Sequence, residues 1–167
     1  MPNDMSPLAL QRDFSLTGYL EGRTRAWGIF EDRFGRVRSR FDVSMFGQWQ
    51  GDTFTLNEEF IYDSGRTETR VWTVIPGPEN TFRATCDDCV GEATGFAGDD
   101  EVTMSYVFRL KLQSRELHVC FTDRLIKIDD FRAVNRAIMS KWGVRLGELS
   151  LFFERDNHAE QDDLIAL

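Results

Sequence analysis

Apolar and polar side chains alternate from Val37 to Trp49, and this pattern constrains the fold more than any other feature of the sequence. The odd positions include Phe41, Val43 and Met45, whereas most of the even positions are polar or charged. Successive side chains of a β-strand point to opposite faces, so the segment is predicted to be one long strand with an apolar face. A helix would mix the two sets of residues.

The same alternation recurs in segments 53–62, 102–112 and 116–122, and short stretches of turn-forming residues separate these runs. Glycine and aspartate favour the backbone conformations of tight turns. Connections this short oblige neighbouring strands to run antiparallel, because a parallel crossover needs about a dozen residues or more. The pattern predicts about ten strands between Arg23 and Arg155. The turn-forming stretches are 33–35, 50–52, 63–65, 76–78, 98–100, 113–114 and 129–130.

The short connections also indicate how these strands pack. A Greek-key sandwich needs a long returning connection, and the sequence offers none between the strands. A meander that closes on itself removes both exposed edges. We therefore predict an all-β fold, an antiparallel up-and-down β-barrel of about ten strands, with a β-sandwich as the alternative. The interior of a barrel with about ten strands is wider than its side chains alone would fill, so a ligand cavity is expected.

Length and composition are typical of a globular protein with one domain. The chain has 167 residues, of which 41% are apolar and 29% charged, and its net charge is -8. We expect a single domain over 1–167, with the barrel in about 19–155, a peripheral N-terminal segment 1–13 and an acidic C-terminal tail 156–167. Because an acidic chain without a basic stripe repels phosphate groups, nucleic acid is not expected as a partner.

The sequence also bears on location. No stretch approaches the roughly 20 consecutive apolar residues of a spanning helix, so membrane insertion is not expected. The first residues, Met1-Pro2-Asn3-Asp4-Met5, lack the charged-then-apolar order of a secretory signal. We therefore expect a cytoplasmic location.

Motifs for metal binding and catalysis are weak. Cys86-Asp87-Asp88-Cys89 is a lone CxxC motif, and a zinc site would need two more ligands. We predict a turn at this motif and no metal site. The sequence contains no Ser-His-Asp pattern, no HExxH and no glycine-rich phosphate or dinucleotide motif. No catalytic residue and no cofactor are therefore predicted, and a non-enzymatic protein is the favoured interpretation.

A charged pair stands out on an otherwise apolar strand face. If Asp63-Ser64-Gly65 forms a hairpin loop, Glu58 pairs with Arg70, and both side chains share a face with apolar residues. One interpretation is a buried ion pair with only a structural role. The other is that Arg70 binds an anionic group of a ligand while Glu58 orients it.

Large aromatic residues occupy the same predicted inward faces. Trp27, Trp49 and Trp72 are expected to line the interior together with Tyr62 and Tyr106. For any one of these residues, filling of the core is the simpler interpretation.

Several short motifs follow one another in a fixed order, beginning with Ala26-Trp27-Gly28-Ile29-Phe30-Glu31-Asp32-Arg33. The later motifs lie at 40–43, 47–51, 56–62, 70–72, 87–91, 128–130, 135–137, 141–143 and 147–149. Over about residues 19–155 the set resembles a family of uncharacterised bacterial proteins, catalogued as a domain of unknown function, many of whose members are predicted lipoproteins. The resemblance implies a calycin-like barrel related to the lipocalins, and no activity. It implies polar signature positions at Glu58, Arg70, Asp88, Asp123, Asn135, Lys141 and Glu148.

Three functional hypotheses follow. The leading one is a non-enzymatic barrel that binds a small, largely apolar or amphipathic molecule with an anionic group, held by Arg70 with Glu58 and Asn135. The other ligand-binding residues predicted are those that would form the cavity wall, Trp49, Trp72, Tyr62 and Tyr106. The second is an enzyme that uses Glu58 or Asp123 in the same pocket for proton transfer or isomerisation. The third is a barrel with a filled interior that acts as a protein-interaction module.

Overall fold

The computed structural model describes residues 15–156, which contain one short helix and ten strands. The predicted N-terminal segment 1–13 and residues 157–167 of the predicted acidic tail lie outside the described residues. The elements are α1 (Leu16–Leu20), β1 (Gly22–Asp32), β2 (Val37–Gln50), β3 (Thr53–Tyr62), β4 (Thr67–Pro76), β5 (Thr81–Thr85), β6 (Ala93–Ala97), β7 (Glu101–Lys111), β8 (Glu116–Lys127), β9 (Arg132–Lys141) and β10 (Val144–Arg155).

The strands form a closed antiparallel barrel with up-and-down topology. Each strand pairs with the next one along the chain, and β1 pairs with β10 to close the sheet. The predicted all-β barrel of about ten strands is confirmed, and the sandwich alternative is wrong. No helix among residues 15–156 is long and apolar enough to cross a bilayer.

Alternation along the strands places one set of side chains inside the barrel. In β2, Phe41, Val43 and Met45 are buried, whereas their neighbours on either side are exposed. The hairpin of β3 and β4 has the predicted register, with Glu58 opposite Arg70. Both charged side chains therefore lie on the inward face, and each is only 14% exposed.

A short helix that the sequence analysis did not predict covers one end of the barrel. Ser15 caps α1, because its hydroxyl accepts a hydrogen bond from the backbone N–H of Gly18 at 3.0 Å. Tyr19 and Leu20 are buried, and the Tyr19 hydroxyl donates to the carbonyl of Phe131 at 2.9 Å. These contacts hold the helix against the barrel rim.

Gly47 allows this helix to approach β2 closely. A Cβ atom placed on Gly47 would overlap the backbone carbonyl of Leu20 and the ring of Phe54. Only glycine avoids this overlap at the point where the chain enters β1.

We expect Gly47→Ala to destabilise the protein by about 1–3 kcal/mol, because the helix and the Phe54 ring must both shift. Urea unfolding measures the loss. Ser44→Ala, at an exposed position of the same strand, is the matched control and should change stability by less than about 0.5 kcal/mol. Equal stability of the two variants would show that a Cβ atom at position 47 is accommodated without loss of stability.

Candidate functional site

The barrel encloses a cavity of about 710 Å³, a volume within the usual range for small-molecule sites. Most of its lining is apolar, and α1 contributes Leu16 and Leu20 at one end. A smaller set of charged and polar side chains faces the same space. The largely buried charged residues among them, with the polar residues beside Asp123, are Glu58, Glu68, Arg70, Asp88, Tyr106, Asp123 and Asn135.

Arg70 is the centre of this polar set and has carboxylates on several sides. Its Nη2 donates to Oε1 of Glu68 at 2.7 Å, and its Nη1 lies 3.7 Å from Oε2 of Glu58. Its Nε lies 3.6 Å from Oδ2 of Asp88. Three carboxylates therefore compensate one guanidinium.

Aromatic rings cover the same guanidinium. Its carbon lies 4.9 Å from the ring centre of Phe60 and 4.7 Å from that of Phe108, within the range of cation–π attraction. The rings and the carboxylates together restrict Arg70 to one position.

The turn between β5 and β6 brings Asp88 to Arg70. The backbone N–H of Cys89 donates to the carbonyl of Cys86 at 3.1 Å, as expected of a turn. The N–H of Arg109 donates to the carbonyl of Asp88 at 2.8 Å, which attaches the turn to β7. The two thiols lie 3.1 Å apart, and no group of three potential metal ligands occurs within residues 15–156.

Asp123 lies on the inward face of β8 within the cavity. The Tyr106 hydroxyl donates to its Oδ2 at 3.3 Å, whereas its buried Oδ1 makes no hydrogen bond with the described residues. Burial raises the pKa of Asp123 to about 7, and the nearby charge of Glu58 acts in the same direction. Tyr106, Asn135 and Arg70 favour the charged form and only partly offset these effects.

Glu58 is a second carboxyl group of the cavity whose pKa is raised, although less than that of Asp123. Burial raises its pKa to about 6, although Arg70 and the Trp72 indole stabilise the carboxylate. Its Oε2 is buried and makes no hydrogen bond with the described part of the chain. Two acids that partly retain their protons near neutral pH therefore share one cavity.

Most of the site residues predicted from the sequence line the cavity. Glu58, Arg70, Trp72, Tyr62, Tyr106 and Asn135 all do so, and whether they bind a ligand stays a prediction.

Two of the tryptophans predicted for the interior lie elsewhere. Trp49 is 42% exposed near the end of β2, because Phe54 fills the interior at that level and Trp49 packs edge-on against its ring. Trp27 is 41% exposed on the outer face, where it packs against Phe152. The predicted cavity positions of Trp49 and Trp27 are therefore wrong.

The sequence analysis missed Glu68 and Asp88 as partners of Arg70. Glu68 stands two residues before Arg70 in β4 and so shares its face, which is a signal that the strand pattern contained. Asp88 comes from a turn, and its position depends on the docking of that turn against β7. No strand periodicity indicates such a contact.

The polar signature positions implied by the family resemblance divide into two groups. Five of them, Glu58, Arg70, Asp88, Asp123 and Asn135, line the cavity. The other two have structural contacts elsewhere: Lys141 donates to the carbonyl of His118 at 2.7 Å, and Glu148 pairs with Arg136 and Arg145.

Comparisons with known proteins agree with this geometry at the level of the fold. A sequence profile described as "Protein of unknown function (DUF3833)" matches residues 6–155. A search of curated proteins found no match.

Two solved structures have similar folds. The S-type phycobiliprotein lyase CPES from Guillardia theta aligns with a TM-score of 0.59 at 6% identity, covering 83% of this chain and 89% of the lyase. A protein of unknown function from the DUF3598 family of Nostoc punctiforme aligns with a TM-score of 0.58 at 15% identity, covering 87% of this chain and 51% of that chain. At these identities the likeness shows the fold alone, a closed antiparallel β-barrel.

The raised pKa of Asp123 predicts how stability depends on pH. Between about pH 4 and its pKa of about 7, the folded protein retains a proton that an unfolded aspartate has lost. The free energy of unfolding should therefore fall as the pH rises through this interval, by up to about 1.4 kcal/mol per pH unit. Asp123→Asn should flatten the part of the profile that belongs to this group.

Urea unfolding of both proteins at about pH 5 and about pH 8 measures the effect. Asp42→Asn, on the exposed face of β2, is the matched control and should follow the unmodified protein. An Asp123→Asn profile that overlays the unmodified profile would show that Asp123 ionises freely in the folded state.

Proposed function

The chain belongs to the family described as protein of unknown function (DUF3833), and with the fold as the guide we propose that its barrel binds a small, largely apolar molecule in the interior cavity. The polar group of that molecule would face the cluster around Arg70 and Asp123. The observation that carries the proposal is the cavity of about 710 Å³, which adjoins this cluster.

The composition of the cavity wall supports an amphipathic ligand. Aliphatic and aromatic side chains cover most of the surface, so the transfer of an apolar group from water would be favourable. The polar side chains lie together instead of being scattered, which is typical of sites that orient a ligand. An interaction module with a filled interior, the third hypothesis from the sequence, would lack such a cavity.

The anionic group predicted from the sequence has less support. An anion at Arg70 would have to displace or approach three carboxylates that already lie within 4 Å of the guanidinium. The rings of Phe60 and Phe108 also lie within 5 Å of the guanidinium carbon. The contacts of Arg70 therefore favour the structural interpretation of its pair with Glu58.

Proton transfer is the second candidate function, and the contact between Asp123 and Tyr106 favours it. A carboxyl group with a pKa of about 7 is suited to act as a general base or acid near neutral pH. If the site is catalytic, a molecule retained on purification should exchange a carbon-bound hydrogen in D₂O with the unmodified protein and not with Asp123→Asn. Mass spectrometry of the released molecule measures the exchange, and equal exchange in both proteins would oppose this role.

Filling the cavity tests the binding proposal. The neutral fluorescent dye N-phenyl-1-naphthylamine should bind the unmodified protein, and Ala137→Trp should weaken binding about tenfold or more, because Ala137 faces the cavity. Ile138→Trp is the matched control, since the adjacent side chain is 41% exposed and points outward. Dye titration measures both affinities.

Native mass spectrometry of freshly purified protein gives a second readout, a retained mass that Ala137→Trp should lose. If Ala137→Trp unfolds, Met139→Trp, also in the cavity wall, replaces it. Failure of the unmodified protein to bind the dye and to retain any molecule, or equal binding by the Ala137 and Ile138 variants, would overturn the proposal.

A further inference from the structure

We propose that the cavity selects a cationic polar group: an organic ammonium held by the carboxylates of Asp123 and Glu58 and bordered by aromatic rings. This inference rests on the proposed function and specifies the ligand class of the same site. It reverses the sign of charge that the sequence predicted.

The balance of charge inside the barrel favours a cation. Four carboxyl groups, those of Glu58, Glu68, Asp88 and Asp123, face the cavity, whereas Arg70 is the only largely buried cation among the described lining residues. Three further cations also line the cavity and are more exposed: Arg66 and Lys111 at 63% and 75%, and Arg109 at 33%. Arg66 lies 3.6 Å from Glu68, and Lys111 lies 3.9 Å from Asp88. The remaining carboxyl groups, those of Glu58 and Asp123, therefore share Arg70 as their buried cation, and this part of the cavity is negative when both ionise.

Two buried carboxylate oxygens lack a hydrogen-bond donor, and Asp123 provides the one that is more available to a ligand. Oδ1 of Asp123 and Oε2 of Glu58 make no hydrogen bond with any described residue, but Oε2 of Glu58 lies 3.7 Å from Nη1 of Arg70, which compensates its charge. A buried acceptor without a donor is costly, and a ligand N–H or ammonium would remove that cost.

One buried hydrogen-bond donor of the cavity also lacks a partner among the described residues. Nε of Arg70 is also buried without a hydrogen bond. It faces Oδ2 of Asp88 at 3.6 Å, so its charge is compensated by a carboxylate. It does not by itself call for an anionic ligand.

The aromatic residues around Asp123 suit an ammonium group. Tyr106 stacks on Phe121 with ring centres 5.4 Å apart and meets Trp72 edge-on at 5.3 Å. All three rings line the cavity, and aromatic faces attract organic cations when water is excluded. The contacts of Arg70 with the rings of Phe60 and Phe108 show that this interior already accommodates one cation beside its rings.

Cation binding should be linked to proton release. Asp123 faces Glu58 from β3, Arg70 from β4, Tyr106 from β7 and Asn135 from β9, and its pKa of about 7 reflects this environment together with burial. An ammonium ligand binds the ionised carboxylate, so affinity should rise as the pH increases through this pKa and then level off. A neutral ligand of the same size should show no such rise.

Competition between probes of matched length tests the sign of charge. Octylammonium, 1-octanol and octanoate are each titrated against bound N-phenyl-1-naphthylamine at about pH 8. We expect octylammonium, whose N–H groups can donate to the carboxylates, to displace the dye at a concentration about tenfold lower than 1-octanol, and octanoate to be the weakest. At about pH 5.5 the advantage of the cation should fall about tenfold, with 1-octanol unchanged.

Variants identify the residues that give the cavity its preference for a cationic probe. Asp123→Asn should remove most of the preference for octylammonium over 1-octanol, and Glu58→Gln should reduce it. Asp42→Asn, on the outer face, is the matched control and should retain the full preference. If Asp123→Asn does not fold, Glu58→Gln and the pH series on the unmodified protein decide the question.

The outcomes separate this inference from the function on which it rests. If no probe binds and the purified protein retains no molecule, the proposed function fails. If the dye and 1-octanol bind but octanoate competes best, or charge has no effect, the cavity binds ligands and only the inference of a cationic group is overturned.

Discussion

Closure of the sheet between β1 and β10 is the constraint on which the rest of this structure depends. The ladder from Thr24 opposite Arg155 to Asp32 opposite Gly147 converts a meander with two edges into a cylinder with none. Once the sheet is closed, every strand has an inside, and alternation places half of its side chains there. The cavity follows, because ten strands enclose more space than their side chains occupy.

The polar cluster is costly for the fold, which makes it informative about function. Burial of charged groups lowers stability unless partners compensate them, and Arg70 meets that condition through Glu58, Glu68 and Asp88. Asp123 does not meet it, because one of its oxygens has no hydrogen bond among the described residues. A carboxyl group in such a place is typical of a binding or catalytic site.

The two ends of the barrel differ in how they are covered. At one end α1 packs on the rim and contributes apolar side chains to the cavity. The turn at 86–89 is attached to β7 instead, and it contributes a charged side chain to the polar cluster. The cavity therefore has an apolar cover at one end and a carboxylate contributed from the other.

The sequence by itself determined the class of fold, the strand pairing of β3 with β4 and the inward position of Glu58 and Arg70. Strand alternation and short turns are local properties, and a two-residue period leaves only one choice of face once the hairpin loop is known. Six of the seven predicted ligand-binding residues line the cavity for this reason.

Only the tertiary structure decided the charge of the cavity and which residues depart from the alternation of inward and outward side chains. Asp88 and α1 reach their positions through docking across elements distant in sequence, which no periodicity encodes. Trp49 alternates in phase with the inward residues of β2, but it lies at the rim beside Phe54. The end of a long strand can extend beyond the level at which the neighbouring side chains fill the interior. The charge of a cavity is a sum over all its walls, so it emerges only when the walls are brought together.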